Sequence, residues 1–284
     1  MSAPEIDPRY VAARHALLDA LEALRDHADA VILAGAQAVY LHTGAGDLAI
    51  APFTTDGDLA IDPQRLGSDP QLEAAMKAAS FHLDLREPGI WIREIDVSGT
   101  TITVPVDLIV PSGVASRAGR RGARLDGHGS RAARKTEGLE AVLVDHEPMT
   151  ITALDPADGR RATANVAGPA ALLIAKAHKL HDRLAGGRRD RVVDKDAVDC
   201  FRIMQTVPPA RVASMLERLT LDPVAGPVTR VGWERLEALF GRRAGDGVVM
   251  ASRALRLALP AEQVAAISLG FMRRVGDIAA PAAG

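Results

Sequence analysis

One cysteine in 284 residues excludes an internal disulfide, and Cys200 has no Cys or His neighbours at the spacing of a zinc site. It reads as a buried small hydrophobe. Lysine is also scarce, with only Lys77, Lys135, Lys176, Lys179 and Lys195 present, so most positive charge sits on guanidinium forks able to grip phosphate in bidentate fashion. No apolar run approaches the roughly 20 residues needed to cross a bilayer, because Arg, Asp, Gly or Pro interrupts each one. The first residues, MSAPEIDPRY, lack the basic start and apolar stretch of a secretory signal. The expectation is a cytoplasmic protein without a membrane partner. A net charge of -2 argues against a whole-chain preference for nucleic acid.

What is present suits a globular α/β chain. With 48% hydrophobic residues, this length can bury one large core or two modest ones. Residues 9–28 place Val11, His15, Leu18, Leu21 and Leu24 near helical spacing. The run from Ala30 to Leu33 then reads as a strand closed by Gly35, with a helix following in AGAQAVYLH. Residues 44–53 read as a loop, 54–61 as a strand, and DPQLEAAMKAASFHL as a helix capped by Asp69 or Ser68. IWIREIDV and TITVPVDLIV, separated by Ser98, Gly99 and Thr100, form a hairpin pattern. Residues 112–137, rich in Gly and Arg, look least ordered. Beyond Gly168 the pattern is helical, broken at Pro208, Pro223, Pro227 and Pro260.

The chemistry concentrates in TTDGDL. On a strand, Asp56 and Asp58 would project from one face about 6.6 Å apart, and two such charges repel unless a cation lies between them. Asp107, on the polar face of VPVDLIV, adds a third carboxylate from a neighbouring strand. Mg²⁺ is a hard ion that favours oxygen ligands and keeps positions for phosphate, and three carboxylates can organise two ions about 4 Å apart. Taken alone, the Asp-x-Asp pair fits a solvated turn and Asp107 an exposed edge position. The metal reading gains from Asp107 lying inside an otherwise apolar strand, where an unpaired charge is costly. Gly35, between strand and helix, would bare backbone N–H groups suited to nucleotide phosphates.

LAGAQAVYLH followed by TTDGDLAID resembles the Gly-Gly-x-Ala helix start and Thr-x-Asp-x-Asp strand of the AbiEii-like toxin nucleotidyltransferases, within the DNA polymerase β superfamily. Asp107 in VPVDLIVP resembles that superfamily's third carboxylate. AKAHKLHDR resembles the family's Ala-x-Lys-x-x-Ala-x-x-x-Arg helix, aligning Lys176 and Arg183. DKDAVD resembles its Arg/Lys-Asp-x-x-Asp helix, aligning Lys195, Asp196 and Asp199. Four blocks across residues 30–206 carry the likeness. It departs from the family at Ala34-Gly35-Ala36, where a second glycine or a serine is usual, in the longer interval from Gly35 to Asp56, and at Ala51, Pro52 and Phe53, where an arginine is usual.

The resemblance implies an α/β (α+β) fold: a polymerase β-type nucleotidyltransferase core with a mixed sheet over residues 1–165, and a C-terminal helical domain over 166–284 that completes the nucleotide and acceptor cleft. It implies an Mg²⁺-dependent enzyme, with Mn²⁺ as the alternative ion, that moves a nucleoside monophosphate from an NTP to an acceptor. Asp56, Asp58 and Asp107 would be the catalytic metal ligands, with Gly35, Ala36, Gln37, Thr55 and Lys176 on the nucleotide. Lys176 would bind triphosphate or neutralise the leaving pyrophosphate, and Asp196 would orient it or bind the acceptor. The implied acceptor is RNA, the end of a tRNA, in a toxin-like role with a cognate antitoxin as partner.

Alternatives stay open: transfer to a small molecule or a protein hydroxyl, or a catalytically inactive nucleotide- or RNA-binding module. Lys195 and Asp199 read equally well as a solvated helix face. The run containing Arg117, Arg120, Arg121, Arg124, Arg131 and Arg134 offers phosphate contacts without an aromatic residue for stacking, and a solvated loop explains it better. His178 and His181 lack a third ligand at metal spacing and read as packing or surface histidines.

Overall fold

The structure is a computed structural model that describes residues 6–44, 53–116, 121–186 and 194–279. The chain forms two compact units. One comprises residues 1–37, 51–136 and 146–166, the other 38–50, 137–145 and 167–284. Among the described residues no helix is long and apolar enough to cross a membrane.

The first unit is built on an eight-stranded mixed sheet, with α1 (Pro8–Ala23) and α3 (Leu72–Ala78). Its strands are β1 (Val31–Ala34), β2 (Gly57–Ile61), β3 (His82–Leu83), β4 (Ile90–Val97), β5 (Thr100–Pro111), β6 (Arg134–Thr136), β7 (His146–Thr152) and β8 (Arg161–Ala167). The order is β3-β4-β5-β2-β1-β8-β7, with β6 beside the end of β5. β1 runs antiparallel to β2 and parallel to β8, whereas β2 and β6 both run parallel to β5.

Hydrophobic alternation explains β5. Val104, Val106 and Leu108 are fully buried, and α1 packs against this strand and against β2 and β4. The intervening Pro105 and Asp107 are only half-buried. Each large apolar side chain buried in this way contributes about 1.5–3 kcal/mol. The β4–β5 hairpin closes on Ser98 and Gly99, with φ of 53° and 80°, the left-handed pair that a two-residue turn requires.

Three local expectations change. β2 starts at Gly57, so Asp56 precedes the strand instead of sharing its pleat with Asp58. The N-cap of α3 is Gln71, neither Asp69 nor Ser68, and the Leu72 amide donates to His128 Nδ1 at 3.1 Å. A side chain distant in sequence has replaced the local cap. Residues 121–136, expected as loose loop, are packed: Ala123, Leu125, Ala132 and Ala133 are buried, and Trp91 Nε1 donates to the Ala132 carbonyl at 2.9 Å. Most of the expected 44–53 loop, and Arg117 and Arg120, lie outside the described residues.

The helix after β1, α2 (Gly35–Thr43), begins in the first unit and continues in the second. The second unit also holds α4 (Pro169–Ala185), α5 (Lys195–Thr206), α6 (Pro209–Leu221), α7 (Ala225–Phe240), α8 (Asp246–Leu255) and α9 (Ala261–Ala279). Its core includes Leu172, Ile174, Phe201, Ile203, Phe240 and Phe271. Pro209 opens α6 and Pro260 precedes α9. Pro227 breaks nothing: it sits in the first turn of α7, where a missing N–H costs no helical hydrogen bond. The N-terminus of α4 is served from elsewhere in the chain, by Asp145 Oδ2, which accepts from the Ala171 amide at 2.9 Å. Burial raises the Asp145 pKa, and the hydrogen bond from Ala171 opposes that shift.

Candidate functional site

Strand register brings Asp58 and Asp107 together. They are paired positions on the adjacent parallel strands β2 and β5, and Ala34 on β1 is paired with Asp58. Paired positions on neighbouring strands direct their side chains to one face of a sheet. Leu59 and Leu108, the next pair, are fully buried on the α1 side, so the two aspartates belong to the opposite face.

The residue after Ala34 must be glycine. Gly35 has φ +67°, and a Cβ there would overlap Asp58 Oδ2 and approach its Cγ to 2.8 Å. The Asp58 carboxylate therefore lies directly against the Gly35 backbone at the first turn of α2, where amide dipoles favour an anion.

Asp56 is held by its surroundings. The buried Thr54 donates its hydroxyl to Asp56 Oδ1, whereas Thr55, the residue expected to touch nucleotide, is exposed. Gln37 is equally committed. Its Nε2 donates to the carbonyls of Asp56 (3.0 Å) and Ala13 (3.2 Å), and its Oε1 accepts from Arg14 Nε at 2.7 Å. Arg14 also donates to the Thr152 carbonyl at 2.8 Å and to Tyr10 Oη at 3.2 Å, and burial pulls its pKa below the ordinary arginine value. The Gln37 side chain thus fixes the backbone at Asp56. Ala36 is buried in the first turn of α2.

Asp107 is paired with a cation of the protein's own. Arg134, on β6, donates through Nη2 to Asp107 Oδ2. Parallel pairing of β6 with β5 sets Arg134 opposite Ile109, two residues along the strand from Asp107. Three oxygen-bearing side chains of the right chemistry for Mg²⁺ therefore occur in this region. Yet among the described residues no group of three or more His, Cys, Asp or Glu side chains is arranged to hold a metal ion. Asp107 is turned to Arg134 and Asp56 accepts from Thr54.

Lys176 and Asp196 belong to the second unit. Lys176 Nζ is buried and donates to Asp196 Oδ1 at 3.0 Å and Asp199 Oδ2 at 2.7 Å. Burial would lower the lysine pKa, but the two carboxylates outweigh it and hold the ammonium well above its ordinary value. Asp196 also accepts from Arg183 Nη1 at 2.6 Å and lies 3.3 Å from Lys179 Nζ. Burial would raise its pKa, yet these cations hold it well below the carboxylate range. Asp199 is 1% exposed and corrects the solvated-face reading: α5 turns it inward as the second counter-ion of Lys176. The cluster explains why the three charged residues are tolerated inside a helical core.

Cys200 is buried among these groups, and burial pushes its thiol pKa up. His178 is buried: Arg235 Nη1 donates to its Nδ1 at 2.6 Å, which leaves Nε2 to donate to the Val228 carbonyl at 3.0 Å. His181 lies near the surface.

Sequence reasoning passed over two interactions, Thr54 on Asp56 and Arg134 on Asp107. Thr54 had a signal, since it is the threonine two positions before Asp56. Arg134 had none beyond membership of an arginine-rich run, because its partner is decided by β6 joining β5. Comparisons with models of protein families, with curated proteins and with solved structures return no match to this chain.

Proposed function

We propose that this chain is a nucleotidyltransferase with a polymerase β-type core, using Mg²⁺ or Mn²⁺ to move a nucleoside monophosphate from an NTP to an acceptor. The observation that carries the reading is the pairing of Asp58 with Asp107 on adjacent strands, with Asp58 seated against the Gly35 turn that opens α2. A divalent ion at these carboxylates would neutralise triphosphate charge and polarise the attacking and leaving oxygens. The protein's own contribution is positional. Gln37 and Thr54 fix Asp56, Gly35 admits the Asp58 carboxylate, and the α2 amides offer donors to phosphate. Within the second unit, the 3.0 Å contact of Lys176 with Asp196 is what an orienting carboxylate would make. The acceptor assigned is RNA, in a toxin-like role with a cognate antitoxin as partner.

The ion pair between Arg134 and Asp107 favours a second reading, a binding module that takes up nucleotide without transferring it. Incubation with each labelled NTP, Mg²⁺ or Mn²⁺, and total RNA separates the two. Label on RNA that disappears in Asp58→Asn supports transfer. Tight NTP binding with no label on RNA, aminoglycoside or protein supports the module and refutes the enzyme.

A further inference from the structure

We infer that the open cavity beside the start of β4 is a phosphodiester-binding groove, in which Arg121 and Arg131 hold the backbone of a single RNA strand. The cavity has a volume of about 540 Å³ and is lined by Pro88, Arg121, Gly122, Ser130 and Arg131. RNA as the strand rests on the acceptor named above; the phosphate chemistry stands on the cavity itself and needs no metal ion.

The walls are built on fixed backbone. Residues 121–123 and 133–135 pair as a short antiparallel ribbon: the Ala123 amide donates to the Ala133 carbonyl at 2.9 Å, and the Lys135 amide to the Arg121 carbonyl at 2.8 Å. The Arg131 carbonyl accepts from the Gly89 amide at 2.9 Å, which ties the ribbon to the chain entering β4. Gly122 leaves room for this closure, because a Cβ there would lie 2.3 Å from the Ser130 carbonyl oxygen. Ile90, two residues after Pro88, is paired with Asp107, so the cavity adjoins the backbone that carries that carboxylate.

The two guanidiniums are available to an anion for different reasons. Arg131 Nη2 donates to the carbonyls of Asp84 (2.9 Å) and Leu85 (3.1 Å), which orient the fork without neutralising it. The Asp84 carboxylate is itself turned to the amides of Arg86 and Glu87, both at 2.7 Å. Among the described residues no carboxylate forms a salt bridge with Arg131. Arg121 does pair with Glu87, but the two side chains are 71% and 43% exposed, and so open a pair contributes little and yields to a better anion. Planar guanidinium matches phosphate in bidentate fashion, and an oriented fork loses less side-chain freedom on binding. The exposed Ser130 adds a hydroxyl donor. No aromatic side chain lines the cavity, so it offers contacts to a strand's backbone and none for base stacking.

Fluorescence anisotropy of an end-labelled oligouridine, titrated with the full chain in a chelator over a salt series, tests the groove. Arg121→Gln and Arg131→Gln are each expected to weaken binding about fivefold at about 0.1 M salt. Each should also lower the slope of log K against log salt by about 0.7, the value for one single-strand phosphate contact. Glu87→Gln releases Arg121 and should tighten binding, a change that damage to the fold would not produce. Arg121 and Glu87 are exposed, so their variants decide the matter even if Arg131→Gln does not fold. Arg25→Gln removes the same charge from an arginine outside the cavity and should alter neither affinity nor slope. The groove is refuted if Arg121→Gln binds like the natural protein, if Glu87→Gln fails to tighten binding, or if Arg25→Gln weakens it equally. Displacement of the strand by micromolar ATP would assign the cavity to free nucleotide and refute the strand. Label transfer from NTP separates this groove from the enzyme reading. Transfer with strand binding unchanged in both arginine variants sinks the groove alone, whereas strand binding lost in those variants with no transfer by the natural protein sinks the enzyme alone.

Discussion

Gly35→Ala probes the geometry on which the site depends. Two separate costs arise. An L-residue held at φ +67° costs about 1–2 kcal/mol, because Cβ crowds the following carbonyl oxygen. The new methyl would also overlap the Asp58 carboxylate, which must leave its preferred rotamer at a cost of about 0.5–1.5 kcal/mol. Loss of glycine freedom in the unfolded chain offsets about 0.4–1 kcal/mol of this. A net destabilisation of about 1–2.5 kcal/mol is expected, measured as a shift of the urea unfolding midpoint. Gly99→Ala provides the control. Gly99 has φ +80° but nothing within 4 Å of the position a Cβ would take, so it suffers the backbone cost alone. The excess of Gly35→Ala over Gly99→Ala isolates the contact with Asp58. It should shrink when Asp58 is also changed to alanine, because the double mutant removes the overlapping Oδ2 and Cγ and leaves only Cβ at 3.0 Å. Equal costs at the two glycines in the natural background would refute the placement of Asp58 against the α2 turn.

Two further outcomes follow from the second unit. Lys176→Met should lower unfolding stability by about 3–5 kcal/mol, since it leaves Asp196 and Asp199 buried without their shared cation. A loss below about 1 kcal/mol in urea unfolding would instead mark a lysine that is free to leave the cluster. Asp145→Asn should gain stability relative to the natural protein as pH rises. The folded pKa of Asp145 is raised above its ordinary 3.8, so its contribution is complete below that pH and is lost as pH climbs through the folded value. Asparagine keeps an oxygen for the Ala171 amide and carries no charge. Denaturation at about pH 4 and about pH 7 reads the difference, and a gap that stays constant between them contradicts the assignment.

Periodicity and turn chemistry determined the local elements of this protein. Strand, Gly35 and helix follow in the order the residues imply, and the hairpin closes on Ser98-Gly99 because those residues tolerate positive φ. The alternation in VPVDLIV placed Asp107 opposite Val106 and Leu108, since a strand's faces follow from its two-residue repeat alone. Tertiary structure decided the partners. Whether Asp58 faces Asp107 depends on β2 lying parallel to β5 in one particular register, and a slip of one residue would separate them. Arg134 reaches Asp107 only because β6 joins the same strand, and Asp199 turned inward because α5 packs on α4 with a lysine waiting there. Local sequence sets backbone preference and amphipathic face. Which charges meet is fixed by contacts between segments far apart in the chain, and no short-range pattern encodes them.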